Sequence, residues 1–416
     1  MRTGALLALL MAAFLGSILP GRAQEPRGQQ VNLPDGAGKE IVQTTCARCH
    51  GLNLITNSSG YTREGWEHLF SSMLTLPRDQ AGVTADYLAK NFPVKPDAVK
   101  PVIIPGPVTV NFKEWLAPSL GSRPHDPLAA RDGSVWWSGQ YAMKLGRVDP
   151  RTGAIKEFPV GKATPHGLVE DREGNIWYTG INIQVIGKLN PRTGEVTEYP
   201  MPIPEARGPH TPIFDQKGML WFTLQSGHVG RVNPATGEVK ISKSPTDNTY
   251  PYGIQVNSKG VPWYVDFRGP RVASVDPVTM QITEYPLPNA EARPRRIAIT
   301  PDDAIWYTDY PRGYIGRFDP ATKQVKEWPT PSGPRSQPYG IAAVGNVLWY
   351  NESAPRPNTL VRFDSRTEQF QTFTIPAGGV VVRHMMATPT GNLVLAESGI
   401  NRVALVEVGG SSGRTQ

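Results

Sequence analysis

Asn175-Ile176-Trp177-Tyr178-Thr179, then Ile186-Gly187-Lys188-Leu189-Asn190-Pro191-Arg192-Thr193-Gly194, then Val196-Thr197-Glu198-Tyr199-Pro200, is one copy of a repeated unit. Its runs are short and rich in β-branched and aromatic residues. Asn-Pro and Gly punctuate them, so each run reads as a strand. The tryptophan recurs at Trp136, Trp177, Trp221, Trp263, Trp306 and Trp349, and Val394 takes its place in a seventh copy. Turn residues recur in phase at Asp149-Pro150, Asn190-Pro191, Asn233-Pro234, Asp276-Pro277, Asp319-Pro320 and Asp364-Ser365. A period of a little over 40 residues with four short strands means a β-propeller, one four-stranded blade per copy. The expected fold class is an all-β seven-bladed propeller over 108–410, preceded by a small α-helical domain.

The two ends of the array fit together. Val110 to Trp115 resembles the fourth strand of a repeat, as in Ile155-Lys156-Glu157-Phe158, but has no first three strands before it. The last copy, from about His384 to Val408, has three strands and no fourth. Residues 108–115 are therefore expected to complete the last blade and remove an open sheet edge. Residues 411–416 read as a C-terminal tail.

Ahead of the array stands Cys46-Ala47-Arg48-Cys49-His50, a C-x-x-C-H run. This is the attachment pattern of haem c: Cys46 and Cys49 form thioethers to the porphyrin and His50 ligates the iron. A thioredoxin-like site needs no following His, and a zinc site needs more ligands than two cysteines supply. These are the chain's only cysteines. Helices are expected over Ala37–Cys46, from Thr62 to Pro77, and over Thr84–Phe92, with a loop at Gly51–Tyr61. Trp66, Leu69, Phe70 and Met73 fall at helical spacing on one face. Met73 is the candidate sixth ligand, since a thioether suits electron transfer; His68 or an open position is the alternative.

The boundaries that follow are a signal peptide at 1–23, a flexible N-terminus at 24–35, a haem domain at 36–93 and a Pro-rich linker at 94–107. The leader carries Arg2, an apolar run from Ala5 to Ile18, and small residues near Ala23. It predicts a periplasmic or otherwise exported protein with no membrane span after cleavage. Lys and Arg number 43 against 36 Asp and Glu, a formal charge of +7. Without residues 1–23 it is +5, too mild and too scattered for nucleic acid. The expected partners are a periplasmic redox partner, for which a slightly basic surface favours an acidic one, and a small-molecule substrate at the propeller mouth. No P-loop, dinucleotide fingerprint or G-x-S-x-G elbow is present.

Counting back from each Trp position gives one channel residue per blade: His125, His166, His210, Tyr252, Arg295, Tyr339 and His384. Three residues after it come Gly139, Gly180, Leu224, Asp266, Asp309, Glu352 and Glu397. Antiparallel pairing places both sets at one mouth, with Asp266, Asp309 and Glu352 either in the channel or solvated on its rim. His125, His166, His210 and His384 on consecutive blades form a candidate site for one additional divalent or transition metal, with Glu397 orienting the imidazoles. They equally suit a polar substrate lining or a structural role in the repeat. Arg295 and Tyr252 suit an anionic or polar ligand.

The repeats over 108–408 resemble the streptogramin B (virginiamycin B) lyase family in their Pro-His-Gly, Ile-Trp-Tyr-Thr, Ile-Gly-Lys-Leu-Asn-Pro and Gly-Glu-Val-Thr-Glu-Tyr-Pro segments. The resemblance implies a seven-bladed propeller that opens cyclic depsipeptides by metal-dependent elimination at an ester C–O bond. It implies histidines on the first strands of the last two blades and a glutamate on the final one. His384 and Glu397 match and are the candidate catalytic residues; Tyr339 stands where the other histidine is expected. The haem segment resembles small cytochrome c domains of exported quinohaemoprotein dehydrogenases. Three functions follow: a haem c oxidoreductase whose propeller binds substrate or partner, a C–O lyase, and a non-catalytic binding propeller with a haem relay.

Overall fold

The computed structural model describes residues 31–48 and 51–409. The expected signal peptide, Cys49, His50 and the tail 411–416 lie outside them. The chain from Thr109 onward forms seven four-stranded sheets, each antiparallel, arranged as a propeller. The first strands of blades 1 to 7 are Pro124–Ala129, Pro165–Glu170, Pro209–Phe214, Pro251–Val256, Pro294–Ile299, Pro338–Val344 and Val382–Ala387. Thr109–Leu116 pairs along its whole length with Arg402–Gly409 and is the outer strand of blade 7. The N-terminal and C-terminal strands thereby share one sheet, which closes the ring and covers the outer side of the last strand of the chain.

The repeated residues form the repeated core. Each repeat Trp is buried and most stack on the aromatic residue of their own fourth strand: Trp177 on Tyr199 at 5.2 Å, Trp306 on Trp328 at 5.2 Å, Trp263 on Tyr285 at 5.4 Å. The indole N–H of Trp177 reaches Asp171 Oδ2 at 2.8 Å, and that of Trp221 reaches Asp215 Oδ2 at 2.9 Å. A buried indole thus keeps its hydrogen bond while its rings fill the space between strands. The glycine of Ile-Gly-Lys has a steric reason: a Cβ at Gly187 would lie 2.0 Å from the Tyr178 ring.

Four helices precede the propeller: α1 (Lys39–Thr44), α2 (Leu52–Asn57), α3 (Arg63–Ser71) and α4 (Arg78–Asn91), with a 3-10 turn at Cys46–Arg48 after α1. Three expectations are corrected. Part of the 51–61 segment is helical, not loop. α3 stops at Ser71, ahead of Pro77. Pro77 instead stands at the N-cap of α4, which begins at Arg78 rather than Thr84. Proline is compatible with a helix start because it has no N–H to leave unsatisfied there, and Asp79 adds an acid to the positive end of the helix. Thr62 caps α3 by accepting the Gly65 N–H at 3.1 Å. α1 and α4 meet where Gly38, at φ 99°, would place a Cβ 2.8 Å from Tyr87 Cβ, so only glycine allows that approach.

The helical unit is seated on the propeller. Its core of Leu33, Val42, Ile55, Trp66, Leu69, Phe70, Tyr87 and Leu88 is continuous with Val380 and Ile400 of blade 7. The Gly121 N–H donates to Ser72 O at 3.0 Å. Residues 94–107, expected as a stiff tether, lie along blade 6. Ile104 N–H donates to Thr372 Oγ1 at 2.7 Å, and Thr372 Oγ1 donates to Val102 O at 2.7 Å. Among the described residues no helix is long and apolar enough to cross a membrane.

Candidate functional site

In every blade the first strand has a β-bulge just after the residue that pairs with the end of the second strand. Those pairs are Pro124 with Gly139, Pro165 with Gly180, Pro209 with Leu224, Pro251 with Asp266, Pro294 with Asp309, Pro338 with Glu352 and Val382 with Glu397. The next residues form a ring: His125, His166, His210, Tyr252, Arg295, Tyr339 and, in blade 7, Arg383. His384 stands one position further on, level with Asp126, Thr211 and Arg296, and its expected place is corrected accordingly. Counting back from Val394 erred because blade 6 alone has a shortened hairpin: Ala342 pairs with Trp349, whereas Met386 pairs with Val394.

The ring is closely packed. The centroids of His125 and His166 are 3.7 Å apart, those of His166 and His210 4.0 Å, and those of His210 and Tyr252 3.8 Å. Tyr252 and Tyr339 share a hydroxyl–hydroxyl hydrogen bond at 2.7 Å. The Arg295 guanidinium lies 3.7 Å from the Tyr339 ring centroid and 4.3 Å from that of Tyr310. In the next layer Arg296, fully buried, crosses from blade 5 to blades 1 and 3. Its Nη2 donates to Asp126 Oδ1 at 2.7 Å and its Nη1 to Thr211 Oγ1 at 3.1 Å.

Charge here is mostly positive. Burial holds His125, His166, His210 and His384 neutral, far below the usual imidazole range. Neighbouring cations add to this, with Arg296 and Arg383 acting on both His125 and His166. Burial lifts the Asp126 carboxyl to about 6 against the pull of Arg296. Tyr339 is raised by burial, but Arg295, Arg383 and Arg296 outweigh that and bring its phenol down to about 8. Arg123 falls to about 10, through burial first and Arg383 second.

The second set of expected channel residues faces elsewhere. Asp266, Asp309, Glu352 and Glu397 are fully buried, not solvated on a rim. Asp266 accepts the Tyr250 N–H at 2.7 Å and pairs with Arg271. Asp309 accepts the Arg293 N–H at 3.1 Å and pairs with Arg312 at 2.7 Å. Glu352 accepts the Ser332 N–H at 2.8 Å. These acids pin entry loops and third strands. Glu397 has no hydrogen-bond donor on either oxygen among the described residues, and its carboxyl is beside Glu114. Burial first and Glu114 second push it well above the usual carboxyl range.

The four histidines do not gather as one ligand set. Among the described residues the group whose ligand atoms come within 4.8 Å of one another is His125, Asp126 and His166. The Asp126 carboxylate in that group is already paired with Arg296. With guanidinium groups on several sides, these residues do not suit a divalent cation. Asp126, Arg296, Arg383 and Arg123 went unnoticed in the sequence. The available signal was the residue after each ring position of the first strand, glycine at Gly167, Gly253 and Gly340 but Asp126, Thr211 and Arg296 elsewhere.

In the helical unit, Cys46 and Met73 both border the shared apolar core, and His68 is exposed. Among the described residues the Trp66 indole N–H is buried there without an acceptor. Apolar walls, a thiol, a thioether and an unsatisfied donor fit a haem with its carboxylates. The helical unit contacts the propeller through Gly121, Val380 and Ile400, in loops that adjoin the strand ends carrying the ring.

Residues 108–352 match the sequence model of the virginiamycin B lyase family. Among solved structures, one described as a streptogramin B lyase is 24% identical, with a TM-score of 0.65, covering 72% of this chain and 98% of its own. A catalytically inactive virginiamycin B lyase from Staphylococcus aureus with quinupristin is 21% identical at TM-score 0.65, covering 72% of this chain and 99% of its own. A hydrazine synthase from Kuenenia stuttgartiensis is 13% identical at TM-score 0.59, covering 70% and 96%. At these identities the likeness is one of fold. Comparison with curated proteins gave no match.

Proposed function

The chain belongs to the virginiamycin B lyase family, and from that premise we propose that it is an exported c-type cytochrome whose lyase-like propeller binds the substrate or redox partner of the haem. Cys46 and Cys49 would hold one haem c, with His50 and Met73 as axial ligands. Bound there, a haem supplies one-electron transfer. The observation that carries this reading is the seat of the helical unit: it docks at the same end of the propeller as the polar ring. A ligand in that ring would be close to the haem domain, and a periplasmic partner could approach the exposed side of α3.

The chain's own residues have separable tasks. Met73 would offer its thioether to the haem iron and so tune the group for electron transfer. The apolar core around Trp66, Leu69 and Val380 excludes water. The ring of His125, His166, His210, Tyr252, Arg295, Tyr339 and Arg383 binds and orients. Purified after export, the protein should contain one haem per chain, with a reversible one-electron potential and a spectrum of His/Met ligation that changes in Met73→Ala. A haem-free protein, or a haem with no reversible couple, would end the proposal.

The lyase reading is weaker at the site itself. Tyr339 occupies a position where the resemblance implies histidine, and the Glu397 carboxyl lies beside Glu114.

A further inference from the structure

The geometry points to an anion site at the propeller mouth, built by Arg123, Arg295 and Arg383 and taking a small carboxylate or oxoanion as its ligand. This deepens the reading of the mouth as the binding end and does not depend on the haem.

The argument starts from charge that has no counterpart. Arg123, Arg295 and Arg383 are partly exposed, as groups at an entrance should be. No carboxylate pairs with any of the three among the described residues. Of the acids nearby, Asp126 is committed to Arg296, Asp266 to Arg271 and Asp309 to Arg312, and Glu397 has its carboxyl pushed up by burial and by Glu114, away from the charged form. Arg295 is held by aromatic faces, and among the described residues its guanidinium donates only to Tyr252 Oη, at 3.3 Å. Gathering guanidinium groups away from water without counter-charge is costly, and an anion relieves the cost.

A second observation points the same way. Among the described residues the Nε atoms of Arg295 and Arg383 lack an acceptor, and so does Nε of Arg296, which is fully buried. His166 Nδ1 and His210 Nε2 are also unpartnered, on side chains 3% and 0% exposed. Unused guanidinium donors around a positive centre fit an oxygen-rich anion, since a guanidinium matches a carboxylate or oxoanion with two parallel N–H donors, while each neutral imidazole can turn either an N–H or a lone pair toward it. The lowered phenol of Tyr339 agrees with the same field.

The haem-loaded full chain should be titrated calorimetrically at low ionic strength with malonate, with phosphate, with neutral glycerol and with Mn²⁺. One equivalent of malonate or phosphate should bind, raise the melting temperature and weaken with salt; glycerol and Mn²⁺ should not bind. Arg383→Gln should weaken binding at least tenfold, while Arg151→Gln, on an exposed turn, should leave it unchanged. Should Arg383→Gln not fold, Arg123→Gln on the rim provides the same comparison. Absence of binding or thermal shift with both anions, binding undiminished in the folded variant, or uptake of Mn²⁺ in place of anions would overturn the assignment. An anion-binding protein whose haem is redox-silent would sink the electron-transfer proposal and leave this one standing.

Discussion

At the scale of residues, the mouth is a place where neutral imidazoles are kept among cations. Unfolded, His125, His166, His210 and His384 would titrate near the ordinary value of about 6.5. Folded, they stay neutral to much lower pH, chiefly through burial. Below about 6.5 the unfolded chain therefore binds protons that the folded chain cannot, and stability falls as pH drops. Asp126 works in the opposite sense, because its carboxyl is raised to about 6 and its contribution is lost as pH rises from about 4 to 6. Glu397, also raised, acts in the same sense as Asp126. Comparing wild type with His210→Gln isolates one imidazole from these opposing groups. Below pH 6.5 the variant should gain on wild type by up to about 1.4 kcal/mol per pH unit. Urea unfolding at pH 7.5 and 5.5 measures the gap, and a gap independent of pH would refute the assignment of a buried neutral His210.

At the scale of elements, the repeat determines what can be read. Trp177, Gly187 and the Asn190-Pro191 turn recur because every blade solves the same packing problem, so blade number and strand order were legible from spacing alone. The ring was legible in six blades and displaced in the seventh. A one-residue difference between hairpins moves a bulged side chain, and Arg383 beside His384 gives no composition signal to choose between them. Arg296 and Asp126 were illegible for another reason: they meet across the channel, 170 positions apart in sequence, and no period relates them. Gly187 tests the shared packing rule. Alanine there places its methyl against the Tyr178 ring, where a Cβ would stand at 2.0 Å. Blade 4 has Ala273 opposite Tyr264, so the fold can yield locally. Gly187→Ala should cost about 1–3 kcal/mol by overpacking, seen as a lower urea midpoint with an unchanged slope. An unchanged midpoint would show that Tyr178 moves aside freely.

At the scale of the whole molecule, the question is what holds the helical unit at the mouth. The ion pair of Arg335 with Asp97 is exposed and contributes little. Val380 and Ile400 are different, being 7% and 2% exposed within a core shared with Trp66 and Leu69. Burying two such side chains is worth about 1.5–3 kcal/mol each before ordering costs. The linker, fastened to Thr372 of blade 6 through Val102 and Ile104, keeps the two units at high effective concentration. Docking should thus be stable yet breakable by one charge. Val380→Asp places a carboxylate in that core from a loop, outside any strand of the propeller. Limited proteolysis within 94–107 should then be faster than in wild type, while the propeller's own melting changes little. If the haem works with the ring, an anion bound at Arg383 should shift the haem potential in wild type and cease to do so in Val380→Asp, although calorimetric binding persists. Unchanged proteolysis with an unchanged anion-linked shift would mean that Val380 does not hold the two units together.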